Sequence, residues 1–169
     1  MTLKEPSRLA LLVVDVQEGL VARKLYGKES FLSAIRSAIA VFRQAGDPIV
    51  FIRHEGAIVK RGTPEWELYS GLDPRANDPI IDKRHGDAFE ETGLAKLLEK
   101  RGVGHVVVCG LVSHGCVRAT CLGAKALGFD AGLLALGHSN WAKDAAAKIE
   151  AVERELSAVG IEALGIDRI

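Results

Sequence analysis

The chain has 169 residues, 48% of them hydrophobic, and 22 Lys plus Arg balance 22 Asp plus Glu for a net charge of zero with His neutral. That length fits one domain, residues 1–169, able to bury a substantial core, and the balance excludes the long-range field expected of a nucleic-acid or anionic-membrane binder. The three cysteines form no CxxC and no metal-type spacing, which fits a reduced, cytoplasmic protein better than a disulfide scaffold. Residues 1–8, with Lys4, Glu5 and Arg8, do not read as a signal peptide, and the apolar run that follows is too short to span a bilayer.

Residues 9–14 (LALLVV) are continuously apolar, as in a strand buried on both faces, and Asp15 stops them. Over 29–45, Phe31, Leu32, Ile35, Ile39 and Phe42 make a helical stripe closed by Gly46. Residues 49–52 predict a second strand, which runs into Arg53-His54-Glu55. Residues 56–77 carry Gly62, Pro64, Gly71 and Pro74 and read as a long excursion with a short helical turn near 66–69. A short strand over 79–81 leads into Asp82-Lys83. A helix follows over 94–101, bounded by Gly93 and Gly102, then a fourth strand over 105–109. The next helix covers 116–127, with Val117, Thr120, Cys121, Ala124 and Leu127 at helical spacing. A strand over 131–136, a charged amphipathic helix over 143–159 and an edge strand over 161–164 complete the chain. This alternation predicts an α/β fold: a three-layer α/β/α sandwich around a mostly parallel six-stranded sheet.

Sites in such sheets lie beyond the carboxyl ends of the strands. Asp15 follows strand one, Lys83 follows strand three, and Cys116 ends the Gly-flanked turn after strand four. An acid, an ammonium and a thiol are therefore expected at one edge. A cysteine at a helix start faces unpaired N–H groups and the positive end of the helix dipole, both of which favour thiolate. In the chemistry these residues could share, Lys83 and the dipole stabilise the Cys116 thiolate and Asp15 acts as general base. The turn's N–H groups bind the oxyanion. Each residue also has a plainer reading: Asp15 as a turn or cap residue, Lys83 as a solvated charge, Cys116 as a packed thiol. Cys109 and Cys121 read as packing. Gln17 either orients groups in the pocket or bonds the neighbouring loop. Trp66 and Phe89 either wall an apolar pocket or lie in the core or an interface. His54 and His138 read as structural, and Trp141 either lines the site or staples the last helix.

Three segments in order carry a family resemblance. Leu11-Leu12-Val13-Val14-Asp15-Val16-Gln17, Lys83 through Phe89 (KRHGDAF) and Gly110 through Val117 (GLVSHGCV) resemble the opening strand, the lysine segment and the nucleophile turn of the isochorismatase-like cysteine hydrolases. That group includes nicotinamidases and N-carbamoylsarcosine amidohydrolase. The resemblance covers nearly the whole chain and places the family's Asp, Lys and Cys on Asp15, Lys83 and Cys116. It further implies a cis peptide at Leu111–Val112, an oxyanion hole from the Val112 and Cys116 N–H groups, and Ser113 and His114 as residues that touch or support substrate. The metal-binding branch carries Asp-x-His after strand two, where this chain has Arg53-His54-Glu55, so no metal and no cofactor are expected. Isochorismatases proper lack the cysteine and place an arginine where this chain has His85, which disfavours vinyl-ether hydrolysis and leaves His85 as a substrate contact. The expected activity is hydrolysis of an amide or related C–N bond in a small molecule. The long excursion and Trp66 point to a homo-oligomer in which a neighbour helps close the pocket. The rival is a non-catalytic α/β binding module or redox-sensing thiol. Gly110 and Gly115 have P-loop spacing, but Cys116-Val117 replaces the Lys-Ser/Thr that phosphate and Mg²⁺ require.

Overall fold

The computed structural model of the protein describes residues 7–169, and the reading of the N-terminus as free of a leader falls largely outside them. The strands are β1 (Arg8–Val14), β2 (Ile49–His54), β3 (Ile80–Lys83), β4 (Val103–Leu111), β5 (Asp130–Ser139) and β6 (Ala163–Leu164). The helices are α1 (Glu18–Val21), α2 (Lys28–Ala45), α3 (Leu94–Lys100), α4 (Arg118–Ala126) and α5 (Ala145–Ala158). All neighbouring strands pair in parallel, in the order β3-β2-β1-β4-β5-β6.

The run at 9–14 is apolar throughout because both of its faces are covered. Leu11 and Val13 pack with Phe31, Ile35, Ile39 and Phe42 of α2. Ala10, Leu12 and Val14 pack on the other face with Leu94 and Leu98 of α3, Cys121 and Ala124 of α4, and Val152 and Leu156 of α5. The result is the three-layer sandwich expected of strand–helix alternation. The helix α2 ends where Gly46 takes φ +74°, a left-handed cap whose N–H closes back on the last turn.

Local differences from the sequence reading have identifiable causes. The four-residue α1 is too short to display a period. The strands β3 and β4 run further than apolar content indicated, through Lys83 and through Leu111, because parallel pairing with neighbours extends them. In β5 the pairing passes from Val108↔Leu133 to Gly110↔His138, so extra residues bulge out there and leave Leu136 at φ +62° and 70% exposed. The excursion at 56–77 holds two single 3₁₀ turns, Pro64–Trp66 and Ser70–Leu72, and anchors Val59, Trp66 and Leu72 in the core beside α2. No helix among the described residues is long and apolar enough to cross a membrane.

The chain visits β1, β2 and β3 moving one way across the sheet, then returns to place β4 on the other side of β1. Such a reversal opens a crevice at the carboxyl ends of the two strands it separates.

Candidate active site

Four side chains meet at that crevice. Asp15 directly follows β1, held by its N–H to Ile52 O at 2.9 Å and set at φ +56°, an uncommon conformation for a residue with a Cβ. His54 and Lys83 end β2 and β3 in register with each other. Cys116 lies in the turn after β4. Lys83 Nζ is 3.1 Å from Asp15 Oδ2, 3.1 Å from Cys116 Sγ, 3.1 Å from His54 Nδ1 and 2.9 Å from His85 O. Four partners surround three N–H donors, so the ammonium is saturated. The geometric expectation that acid, ammonium and thiol emerge together holds, and His54 joins them.

The electrostatics of this cluster set the pull of Lys83 against stronger opposing influences. The sequence reading has Lys83 and the helix dipole stabilising a thiolate. In the structure, burial and then the Asp15 carboxylate push the Cys116 thiol up to about 11, and Lys83 only partly offsets them. Burial also raises Asp15 above the ordinary carboxylate range, against the pull of Lys83 and Cys116. Burial and the adjacent Lys83 charge hold His54 below its usual value, which leaves Nδ1 free to accept from the ammonium. Cys116 thus rests as a protonated thiol beside Asp15. Asp15 Oδ1 is buried with no hydrogen-bond partner, and the carboxylate approaches Sγ to within 4.8 Å.

Asp15, His54 and Cys116 are close enough together to ligate a metal ion. The residues do not fit one, because Lys83 Nζ lies 3.1 Å from each of them and would oppose any cation in their midst.

The turn that carries Cys116 departs from a simple helix start. The Leu111–Val112 peptide is cis. Ser113–Val117 forms a π turn in which Val117 N–H reaches Val112 O at 3.3 Å, and α4 begins only at Arg118. Cys116 therefore precedes the helix by two residues, a further reason the dipole alone does not make it a thiolate. Behind the turn, Ser113 is fully buried and its Oγ lies 3.0 Å from His138 Nδ1, while His138 Nε2 lies 3.1 Å from Glu153 Oε1. With burial keeping His138 below its ordinary value, the neutral ring donates to Glu153 and accepts from the Ser113 hydroxyl.

A cavity of about 220 Å³ opens onto Asp15, His54 and Cys116, with walls from Leu20, Ala57, Ile58, Val59, Leu111, Val112 and Trp141. A polar reaction centre at the floor and apolar walls around it is the usual make-up of a small-molecule site.

Comparison with known proteins places the chain in a family. Residues 9–159 match the isochorismatase domain. The chain belongs to the isochorismatase family. Streptothricin hydrolase of Streptomyces noursei is 37% identical over 124 residues, covering 70% of this chain and 45% of that protein. The secreted isochorismatase effector Isc1 of Verticillium dahliae is 31% identical over 128 residues, covering 71% of this chain and 66% of that protein. The chain spans about half the length of the streptothricin hydrolases it matches. A crystal structure of an isochorismatase family protein superposes with TM-score 0.87 at 30% identity, covering 92% of this chain and 97% of that one. N-carbamoylsarcosine amidase from Thermoplasma acidophilum shares the fold at TM-score 0.85 and 22% identity, covering 96% and 98%.

The other residues expected to meet substrate are not among those lining the cavity. Gln17 is fully buried and committed to the backbone: its Nε2 donates to His54 O at 3.0 Å and Trp66 O at 2.8 Å, and its Oε1 accepts from His54 N–H at 2.9 Å. It ties β2 to the excursion, which is the loop-bonding alternative. Trp66 is 7% exposed and lies under the Arg53 guanidinium at 3.6 Å, in the core of its own chain. Trp66 thus offers no exposed apolar face to a neighbouring copy, and Ala57–Val59 of the same chain walls the cavity. Phe89 stacks on Phe129 at 5.7 Å on the opposite face of the sheet. His85 gives its carbonyl to Lys83, but its ring turns outward to Glu91 at 2.9 Å. Ser113 faces His138, and His114 is exposed.

The residues missed are His54, Ala57–Val59, Leu20 and Trp141 as a definite wall. His54 had a usable signal, since it ends a strand just as Lys83 does. The wall residues had none, because a loop's landing point depends on contacts far along the chain.

Proposed function

We propose that this chain, acting as one domain over residues 1–169, is a metal-independent cysteine hydrolase that cleaves an amide or related C–N bond of a small molecule. The observation that carries the reading is the buried, unpartnered Asp15 Oδ1 beside a Cys116 thiol that Lys83 also touches. The relatives' names agree in reaction type: streptothricin hydrolase, maleamate amidohydrolase and N-carbamoylsarcosine amidase.

The steps follow from the protonation states. As Sγ attacks the carbonyl carbon, the thiol proton moves to Asp15, so thiolate character develops only with bond formation. Lys83 keeps Asp15 ionised beforehand and faces the growing charge on sulfur. The Val112 and Cys116 N–H groups receive the oxyanion; Val112 N–H has no acceptor among the described residues. Asp15 returns the proton to the departing nitrogen, the C–N bond breaks, and an acyl thioester remains on Cys116. Asp15 then takes a proton from water, whose oxygen attacks the thioester. Sulfur leaves and recovers the proton, releasing the acid.

The test is ammonia or amine release from a panel of small primary amides, carbamoyl compounds and lactams, run on wild type and Cys116→Ala, with intact-mass detection of acyl adducts. The reading expects turnover only with Cys116 and an adduct on that residue. Cys109 and Cys121 should be spared, since burial raises both thiols, Cys121 to about 12. Turnover that survives Cys116→Ala, or none across the panel, overturns it. Ready oxidation of Cys116 that does not depend on Asp15 would favour the redox-sensing thiol instead.

A further inference from the structure

Beyond the reaction type, the cavity wall bears on the acyl group. We infer that the site selects neutral amides with a compact apolar acyl group and rejects those carrying a second carboxylate. The inference rests on the hydrolase reading above. The amide must lie against Asp15, Cys116 and the Val112 N–H, which leaves its acyl substituent among Leu20, Ala57, Ile58, Val59, Leu111 and Trp141.

A carboxylate placed there meets no cationic lining residue; the Arg23 guanidinium stacks on Trp141 at 4.5 Å but does not line the cavity. No Lys or Arg lines the cavity among the described residues. The Lys83 ammonium beneath the cavity already has Asp15, Cys116, His54 and the His85 carbonyl around it, and its side chain is 0% exposed. His54 is held neutral by burial and by Lys83. A charge buried without a counter-ion or hydrogen bonds is strongly disfavoured. A cationic substituent fares no better, because among the described residues the only acid lining the cavity is Asp15, whose Oδ2 Lys83 already engages. The space also limits size: about 220 Å³ is the share of about seven water molecules and below the range of clefts that take drug-sized ligands.

Ile58 is the residue through which this selectivity can be changed. It lines the cavity yet is 49% exposed at its lip, so a longer polar side chain there need not enter the core.

The experiment compares 4-methylpentanamide with succinamate, which match in shape with an isopropyl group in place of the carboxylate. Both are run with wild type, Cys116→Ala and Ile58→Arg. The expected result is a kcat/KM preference for 4-methylpentanamide of about a hundredfold or more in wild type. Cys116→Ala should abolish both activities. Ile58→Arg should shrink the preference by about tenfold or more through recovery of succinamate turnover. Equal rates, or a preference for succinamate, with both still dependent on Cys116, overturn the selectivity inference and leave the hydrolase reading standing. Absence of Cys116-dependent turnover of either compound counts against both.

Discussion

Replacing Lys83 with methionine removes the charge from the centre of the cluster while keeping much of the side chain's length. At the 3.1 Å that separates Nζ from Asp15 Oδ2, Coulomb attraction is about 5 kcal/mol for an effective dielectric of about 20. Both side chains are buried, at 0% and 4% exposure, and leaving one partner of such a pair uncompensated costs about 3–5 kcal/mol. The Asp15 carboxyl can escape much of that cost by keeping its proton. Burial already raises it, and Lys83 is the strongest influence drawing it back down. The variant therefore has a still higher folded-state value over an unchanged unfolded one.

Between those two values the folded state binds one proton more than the unfolded state. Unfolding free energy must then fall as pH rises, by about 1.4 kcal/mol per pH unit for one proton. The fall starts at the ordinary carboxylate value and stops once the folded-state value is passed. Wild type has the same sign over a narrower window. Urea unfolding of both proteins from pH 4 to 9 measures this directly. In parallel, the acid limb of kcat/KM should move to higher pH in the variant, with neutral-pH activity down by about 10²–10⁴. A stability difference that does not change with pH, together with an unmoved acid limb, would refute the role assigned to Lys83 in holding the Asp15 charge.

Two packing predictions are simpler to check. Gly110 sits at φ +122° against the Val14 backbone, where an added Cβ would run into the Val14 carbonyl. Gly110→Ala should destabilise by about 3 kcal/mol or more in a thermal or urea melt. Gly93→Ala is the control: with φ −85° and nothing within 4 Å of the added carbon, it should be neutral or stabilising by about 0.4–1 kcal/mol. Behind the turn, Ser113→Ala leaves His138 Nδ1 buried without its partner, and urea unfolding should show a loss of about 1–3 kcal/mol. Glu153→Gln should lose less, because the amide oxygen still accepts from His138 Nε2–H.

The core of the fold was legible because burial on both faces writes an unbroken apolar run, as at 9–14, and one-sided packing writes a helical stripe, as at 31, 35, 39 and 42. Asp15, Lys83 and Cys116 were legible because strand ends in a parallel sheet share an edge. Boundaries were less so: β3 and β4 extend through polar Lys83 and through Gly110 because neighbouring strands supply hydrogen bonds that composition does not record. Trp66 and Gln17 each suit a pocket in sequence, with core or interface burial as the alternative for one and a loop hydrogen bond for the other. Their partners, Arg53 for one and the His54 and Trp66 backbone for the other, are found only in three dimensions.

By itself, then, the order of residues determined the layered α/β architecture and the meeting of Asp15, Lys83 and Cys116 at one sheet edge, since both follow from local periodicity and strand-end position. Tertiary structure alone decided that His54 joins the cluster, that Trp141 and Ala57–Val59 form the wall, and that burial raises the Cys116 thiol. Each of those depends on how closely distant segments approach and how much water they exclude, and desolvation is a property of the packed site rather than of any single residue in it.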